Sequence, residues 1–194
     1  CSPLKSNLIA KEYRSIGLST YKIENIDMTL DHIDINTVQH LHVSGGEPTI
    51  NKEFFVFLDL CLEQGRTDIA FEISTNASVL SSDMMRYIKQ FPNMKFSVSV
   101  DGFGQLNRYI RWPIQWSHWC ENVSALHDIG RISNFNTVVS IYNIAHLYDL
   151  YKFLDDNYSG VHCTINFVDH VPDQLPWNHP EPKTVVENLQ LITQ

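Results

Sequence analysis

Residues 44–48, Ser-Gly-Gly-Glu-Pro, combine a stretch of backbone free of side chains with a carboxylate beside it, the ingredients of a turn that meets a ligand through its main chain. Leu41 and Val43 alternate with His42 and Ser44 as a short strand does, and Gly45, Gly46, Glu47 and Pro48 then interrupt it. Two consecutive glycines at a strand end remove both Cβ atoms and free φ, so carbonyls and N–H groups can approach a bound molecule. Pro48 stiffens the exit, and Asn51 is placed to cap the helix that follows. An ordinary strand-to-helix turn has the same composition, so the pair acquires meaning from the rest of the chain.

Other polar residues fall where strands are expected to end: Ser74, Thr75 and Asn76; Ser99, Asp101 and Gly102; Ser140 and Asn143; residues 166–169. In a parallel barrel functional groups gather at these C-terminal ends, although Ser, Asn, Asp and Gly are also ordinary turn residues. Glu47, Glu72 and Asp101 around one barrel mouth would suit acid–base work in a hydrolase or lyase. Arg111, within Tyr109-Ile-Arg-Trp-Pro113, reads by itself as one half of a surface ion pair. His42, His118, His162, His170 and His179 are scattered singly and read as structural.

The elements that must position these groups alternate. Strands are expected at 39–43, 68–74, 94–100, 133–141 and 161–168, with helices at 52–64, 82–90, 115–129 and 144–156, and a further helix near 8–16. Such alternation makes parallel βαβ units. Gly65 and Gly130 sit just past helix ends, Ser81 or Ser82 and Asn143 are candidate caps, and Phe91-Pro92 stops a helix. Parallel strands covered on both faces read as continuous apolar runs, yet these alternate. Ser97, Ser99, Asp101, His162, Thr164 and Asn166 are expected on a polar inner face, and Phe96, Val98, Val100, Val161, Cys163 and Ile165 beneath helices. An open barrel lined by polar groups has this pattern; so does a sheet with helices on one side and water on the other.

At 194 residues and 43% hydrophobic, the chain can bury a sizeable core, most simply as one domain over 1–194. Fourteen basic against 22 acidic side chains give a formal charge of -8, with no basic cluster, which argues against a nucleic-acid backbone as partner. There is no apolar run long enough to span a bilayer and no signal-peptide pattern, so a cytoplasmic location is expected. The four cysteines form no CxxC pair. Cys61, Cys120 and Cys163 each fall in an apolar stripe and read as buried small hydrophobes; Cys1 has no apolar context. Residues 169–182 read as a loop over the barrel mouth, leading into a helix at 183–192 and the start of a C-terminal extension.

Gly45-Gly46-Glu47-Pro48 after a hydrophobic strand resembles the GGEP motif of the radical S-adenosylmethionine (radical SAM) superfamily. The opening residues 1–13, from Cys1 to Tyr13, resemble the segment that begins at the last cysteine of that family's CxxxCxxC loop. The likeness runs to about residue 170 and is greatest to members with a short twitch-type extension. It implies a partial (β/α)6 TIM-like barrel whose first strand, with the first two cluster cysteines, would lie upstream of Cys1; the chain alone would then be inactive. It implies a 4Fe-4S cluster with Cys1 as third ligand, and S-adenosylmethionine, whose methionine amino group meets Gly45, Gly46 and Glu47. Ser74, Asn76, Ser99 and Asp101 map onto contacts to the methionine or ribose, and Arg111 onto an arginine that meets the cofactor's carboxylate. The implied reaction is one-electron cleavage to a 5'-deoxyadenosyl radical that abstracts a hydrogen from a small-molecule, peptide or protein substrate, with flavodoxin or ferredoxin as reductant. The alternatives are the carboxylate-based hydrolase or lyase, and a degenerate module that binds S-adenosylmethionine without catalysis.

Overall fold

Five parallel strands pair strictly in chain order, β1 His40–Val43, β2 Ala70–Thr75, β3 Lys95–Ser99, β4 Ile132–Val139 and β5 His162–Phe167. The computed structural model describes residues 11, 13–17, 33–168 and 180–192. Every crossover carries a helix: α1 Lys52–Glu63, α2 Ser82–Gln90, α3 Gln105–Ile110 with α4 Trp116–Asp128, and α5 Leu147–Asn157, followed after β5 by α6 Pro182–Ile192. Single 3-10 turns, Pro48–Ile50 and Ile144–His146, precede α1 and α5. Of the expected helix at 8–16, residues 11 and 13–15 are helical and 8–10 lie outside the described residues, as do Cys1 and residues 169–179 of the loop expected at 169–182.

Local chemistry accounts for the helices. Asn51 Oδ1 accepts from Phe54 N at 3.0 Å, and Ser81 Oγ from Met84 N at 3.1 Å, closing the starts of α1 and α2 as their side chains predict. Phe54, Phe57, Leu58 and Cys61 recur at helical spacing and are all buried in one core with Phe71 and Ile73 of β2, as are Met84, Tyr87 and Ile88 of α2. Burial pushes the Cys61 thiol up to about 11. Trp119, Val123 and Leu126 of α4 and Leu150 and Leu154 of α5 complete the layer. Asn143 departs from expectation. It caps no helix; its Oδ1 instead accepts from Ser140 N at 2.7 Å. The N-terminus of α5 is closed from a distance, Tyr148 N donating to Asn188 Oδ1 of α6 at 2.9 Å.

One sheet face is apolar and packed under these helices: Val43, Phe71, Ile73, Phe96, Val98 and Phe135 share a single core with them. The opposite face carries His40, His42, Glu72, Ser74, Ser97, Ser99, Asn134 and Asn136. Register places Ser74, Ser97, Asn134 and His162 in one row across four strands. Asn134 Nδ2 donates to Thr164 Oγ1 at 3.1 Å and Asn166 Nδ2 to Asn136 Oδ1 at 2.8 Å, so β4 and β5 pair through amides as well as backbone.

The expectation of a covered β5 fails. Val161 is half-buried against the core, but Cys163 is exposed, Ile165 is 44% exposed and Phe167 59%. β5 pairs only with β4 among the described residues, and the helix that follows it packs on α5 and the 144–146 turn instead of across the strand. Cys163 therefore sits on the helix side of the sheet, level with buried Phe135, yet outside the shelter of a helix. No described helix is long and apolar enough to cross a membrane.

Candidate functional site

Strand β1 stops at Val43 and the chain turns through Gly45 (φ 95°) and Gly46 (φ 58°), backbone that residues with a Cβ adopt only under strain. A Cβ at either glycine would meet no heavy atom within 4 Å, so the requirement is conformational and the space over the turn is open. Both glycines are exposed, with main-chain groups available to a ligand.

Glu47 anchors this turn to β2. Its Oε1 accepts from Thr75 Oγ1 at 2.6 Å, Thr49 Oγ1 at 2.7 Å and Thr49 N at 3.3 Å, and its Oε2 from Asn76 N at 2.8 Å. Thr49 Oγ1 also lies 2.9 Å from Val79 O, so its one proton is shared. Thr75 Oγ1 in turn accepts from Ala77 N at 3.0 Å, which holds Ala77 at φ 52°. The carboxylate is thus a strut between two strand ends, with Oε1 saturated. Thr49 and Thr75, both buried, are its partners. A hydroxyl at 75 where β2 alternation calls for an apolar side chain was the available sequence signal for this strut.

Asp101 organises a second cluster, at the ends of β3 and β4. Oδ1 accepts from Val138 N at 2.8 Å, and Oδ2 lies 2.7 Å from Arg111 Nε, an ion pair whose N–H is not aligned as a hydrogen bond. The backbone of Asp101 is held on both sides: its N–H donates to Asn107 Oδ1 at 3.0 Å and its carbonyl accepts from Asn143 Nδ2 at 2.7 Å. Gly102 is required by packing, because a Cβ there would lie 2.8 Å from Leu106 Cγ and 3.1 Å from Asn107 N. Arg111 and Asp101 are only 19% and 8% exposed, so the surface ion pair weighed for Arg111 is instead an inward one.

The remaining candidates occupy the polar face. Ser74 Oγ lies 3.2 Å from His42 Nε2; Asn76 Oδ1 accepts from Ser78 N at 2.8 Å; Ser99 is half-buried, level with Asn136. The structure therefore brings Gly45, Gly46, Glu47 and Asn76 together directly, and Asp101 with Arg111. No hydrogen bond or ion pair among the described residues joins the two groups. A shallow depression beside α3, between Phe103, Leu106, His146 and Asp149, contains none of them. Among the described residues no three His, Cys, Asp or Glu side chains are grouped to hold a metal.

Comparison with known proteins extends the description. The family model for the Radical SAM superfamily matches residues 11–154. No curated protein sequence matches the chain. Among solved structures, Native anSMEcpe with bound AdoMet superposes with a TM-score of 0.60 at 16% identity over 84% of this chain and 47% of its own. Streptococcus suis SuiB bound to S-adenosylmethionine gives 0.56 at 15% identity over 80% and 35%. A domain of pyruvate-formate lyase-activating enzyme from Bacteroides vulgatus ATCC 8482 gives 0.54 at 12% identity over 80% and 93%. The chain thus spans between a third and a half of the SuiB and anSMEcpe chains.

Proposed function

The chain belongs to the radical SAM superfamily, and from that premise we propose that it forms the cofactor-binding core of an enzyme that uses S-adenosylmethionine across the C-terminal ends of its strands. The observation that carries this is the turn at Gly45 and Gly46: its main chain is exposed, its outer side is open, and Glu47 clamps it in place. In this reading the turn's main chain receives the amino group of the methionine, and Glu47 holds the turn while keeping a lone pair of Oε2 for the ligand. Ser74, Asn76 and Ser99 line the polar wall beside it. Asp101 and Arg111 set the height of the β3 and β4 ends, and the Arg111 Nη groups are the carboxylate-binding candidates, since Nε faces Asp101.

Among the described residues no three metal-ligating side chains are grouped, so in this reading Cys1 would be the third cluster ligand, with the other two expected upstream of it. A reduced 4Fe-4S cluster with bound S-adenosylmethionine supplies the one-electron cleavage and hydrogen abstraction; the polar wall has to orient the ligand and exclude water. A low-potential protein such as flavodoxin or ferredoxin would be the reductant. SuiB bound to precursor peptide SuiA and anSMEcpe bound to Cp18Cys peptide are among the structural neighbours, which supports a peptide or protein substrate over a small molecule. A cytoplasmic location suits such a partner set. The carboxylate-based hydrolase or lyase is disfavoured because Glu47 and Asp101 are already engaged by neighbours that a general acid or base would have to leave.

Calorimetric titration of S-adenosylmethionine into the full-length protein, reconstituted anaerobically with iron and sulfide, tests the site. Gly45→Ala should weaken binding at least about tenfold, because the turn cannot keep its left-handed backbone with a Cβ. Gly160→Ala, equally left-handed but between α5 and β5, should leave affinity unchanged. Equal effects of the two substitutions would refute the assignment. The full-length protein, reconstituted anaerobically with iron and sulfide, should turn brown and release 5'-deoxyadenosine with dithionite; a colourless protein that still binds the ligand would leave the non-catalytic module.

A further inference from the structure

β4 and β5 form the sheet edge opposite β1 and its glycine turn, three to four strand spacings of about 4.8 Å away. On the polar face of that edge Asn166 Nδ2 donates to Asn136 Oδ1 at 2.8 Å. Each amide has an oxygen that accepts and an NH2 that donates, so a single bond between two of them uses one of each. What remains is the NH2 of Asn136 and the carbonyl of Asn166, neither with a partner among the described residues. Turning both amides over exchanges the roles and leaves the same outward pair. Asn134, one step down β4, shows the contrast: its Oδ1 accepts from Ser133 Oγ at 3.1 Å and its Nδ2 donates to Thr164 Oγ1 at 3.1 Å, so both ends are spent internally. Asn136 is half-buried and level with Ser99 and Thr164, and Asn166 is exposed. The wall around the pair is made of hydroxyls and amides; the Asp101 carboxylate is turned to Val138 N and Arg111, and His162 lies a row lower, level with Asn134. Such a surface suits a neutral ligand that offers a donor and an acceptor side by side, in preference to a phosphate or a carboxylate.

We propose that Asn136 and Asn166 together hold one residue of an extended substrate peptide by its backbone, Asn136 Nδ2 donating to the carbonyl and Asn166 Oδ1 accepting from the N–H. In an extended chain the N–H and C=O of one residue point to the same side, the arrangement that lets antiparallel strands exchange two bonds residue for residue. The contact ignores the side chain. The pair therefore fixes where a residue lies along the wall, across from the glycine turn, and leaves the choice of side chain to other groups. This inference rests on the reading of the substrate as a peptide or protein.

Nitrogen-15 labelling at asparagine, in the full-length protein reconstituted anaerobically with iron and sulfide, gives a side-chain NH2 signal for each residue. The probe is N-acetylalanine N-methylamide, titrated to millimolar concentration in the presence of S-adenosylmethionine. It should shift both signals in step. Its analogue methylated at the alanine nitrogen, which has lost that donor, should bind about three- to tenfold more weakly. In Asn136→Asp and in Asn166→Asp the surviving amide donates to the new carboxylate, so the outward pair becomes two acceptors; each should weaken the first probe by about three- to tenfold. Asn93→Asp, the same change near the opposite end of β3, should leave binding as it is. Saturation transfer to the probe without movement of either NH2 signal, equal binding of the two probes, or Asp variants that bind as the parent does would overturn the inference and leave the peptide reading standing. S-adenosylmethionine alone moving both signals and then blocking the probe would assign the pair to the cofactor and overturn it as well. If the probe gives no saturation transfer at all, the inference falls, while S-adenosylmethionine affinity in the same samples decides the cofactor site separately.

Discussion

Replacing Glu47 by Gln changes one atom and separates the strut from the ligand contact. The carboxylate accepts at both oxygens: Thr75 Oγ1, Thr49 Oγ1 and Thr49 N on one, Asn76 N on the other. A glutamine has a single acceptor oxygen. If that oxygen serves the two threonines, the new NH2 faces the Asn76 N–H, donor against donor; the flipped amide opposes the Thr49 N–H instead. One part-buried N–H is orphaned in either case, and the remaining bonds lose their charge assistance, a combined cost of about 2 kcal/mol. For a chain of this length that lowers the melting temperature by about 4–8 °C. Thr75→Val removes the hydroxyl that links Glu47 to Ala77 N, and should cost about 1–3 kcal/mol alone. Because both act on one set of bonds, the double variant should fall short of the sum by about 0.5–3 kcal/mol. Urea titration of the four proteins gives the cycle. Additive effects, or a Glu47→Gln melting temperature within about 1 °C of the parent, would show that Glu47 is not a strut.

Asp101→Asn keeps the acceptor for Val138 N but leaves Arg111 without its counter-charge in a largely enclosed place, and should cost about 3 kcal/mol by denaturant titration. Val98→Ser places a hydroxyl in the core under the helices, at a cost of about 1–3 kcal/mol, whereas Ser99→Val on the polar face should leave stability nearly unchanged and weaken S-adenosylmethionine binding. Thiol labelling of the native chain, mapped by mass, should modify Cys163 before Cys61, which is spared until unfolding, although partial burial of the Cys163 sulfur raises that thiol and slows its reaction. The Cys61 thiol, raised in the fold to about 11, contributes stability that is complete below the ordinary thiol range and is lost as pH rises toward 11. Cys61→Ala should flatten that alkaline limb in pH-dependent unfolding.

What could be read from the chain was local. Alternation in β2 and β3 assigned the buried and polar faces because each side chain there answers to its own strand's pleat, and Asn51 and Ser81 cap as their positions predict. The same alternation in β5 misled for Cys163 and Ile165. A period of two separates the faces of a strand but does not say whether a helix lies over either one. α3 went unseen because the six residues that follow Gly104 are too few to show a helical period. Asn143 looked like a cap because its partners, Ser140 N and the Asp101 and Val138 carbonyls, are assembled from two strand ends. The Glu47 strut was hidden in the same way, its Thr75 and Asn76 partners lying 28 and 29 residues away.

The bond from Tyr148 N to Asn188 Oδ1 also orders events during synthesis. α5 has no cap of its own, since His146 makes no side-chain bond to the helix, and the residue that closes it lies 40 positions later. At ~5–20 residues per second a ribosome needs about 2–8 s to make that stretch, long compared with the microseconds in which a helix forms. In that interval water alone holds the Tyr148 amide, and the first turn of α5 is frayed by the ~1 kcal/mol that a cap supplies. The β4-to-β5 crossover thus becomes fully helical only after α6 has emerged, and nascent chains stalled before residue 188 should expose the start of α5 to proteases.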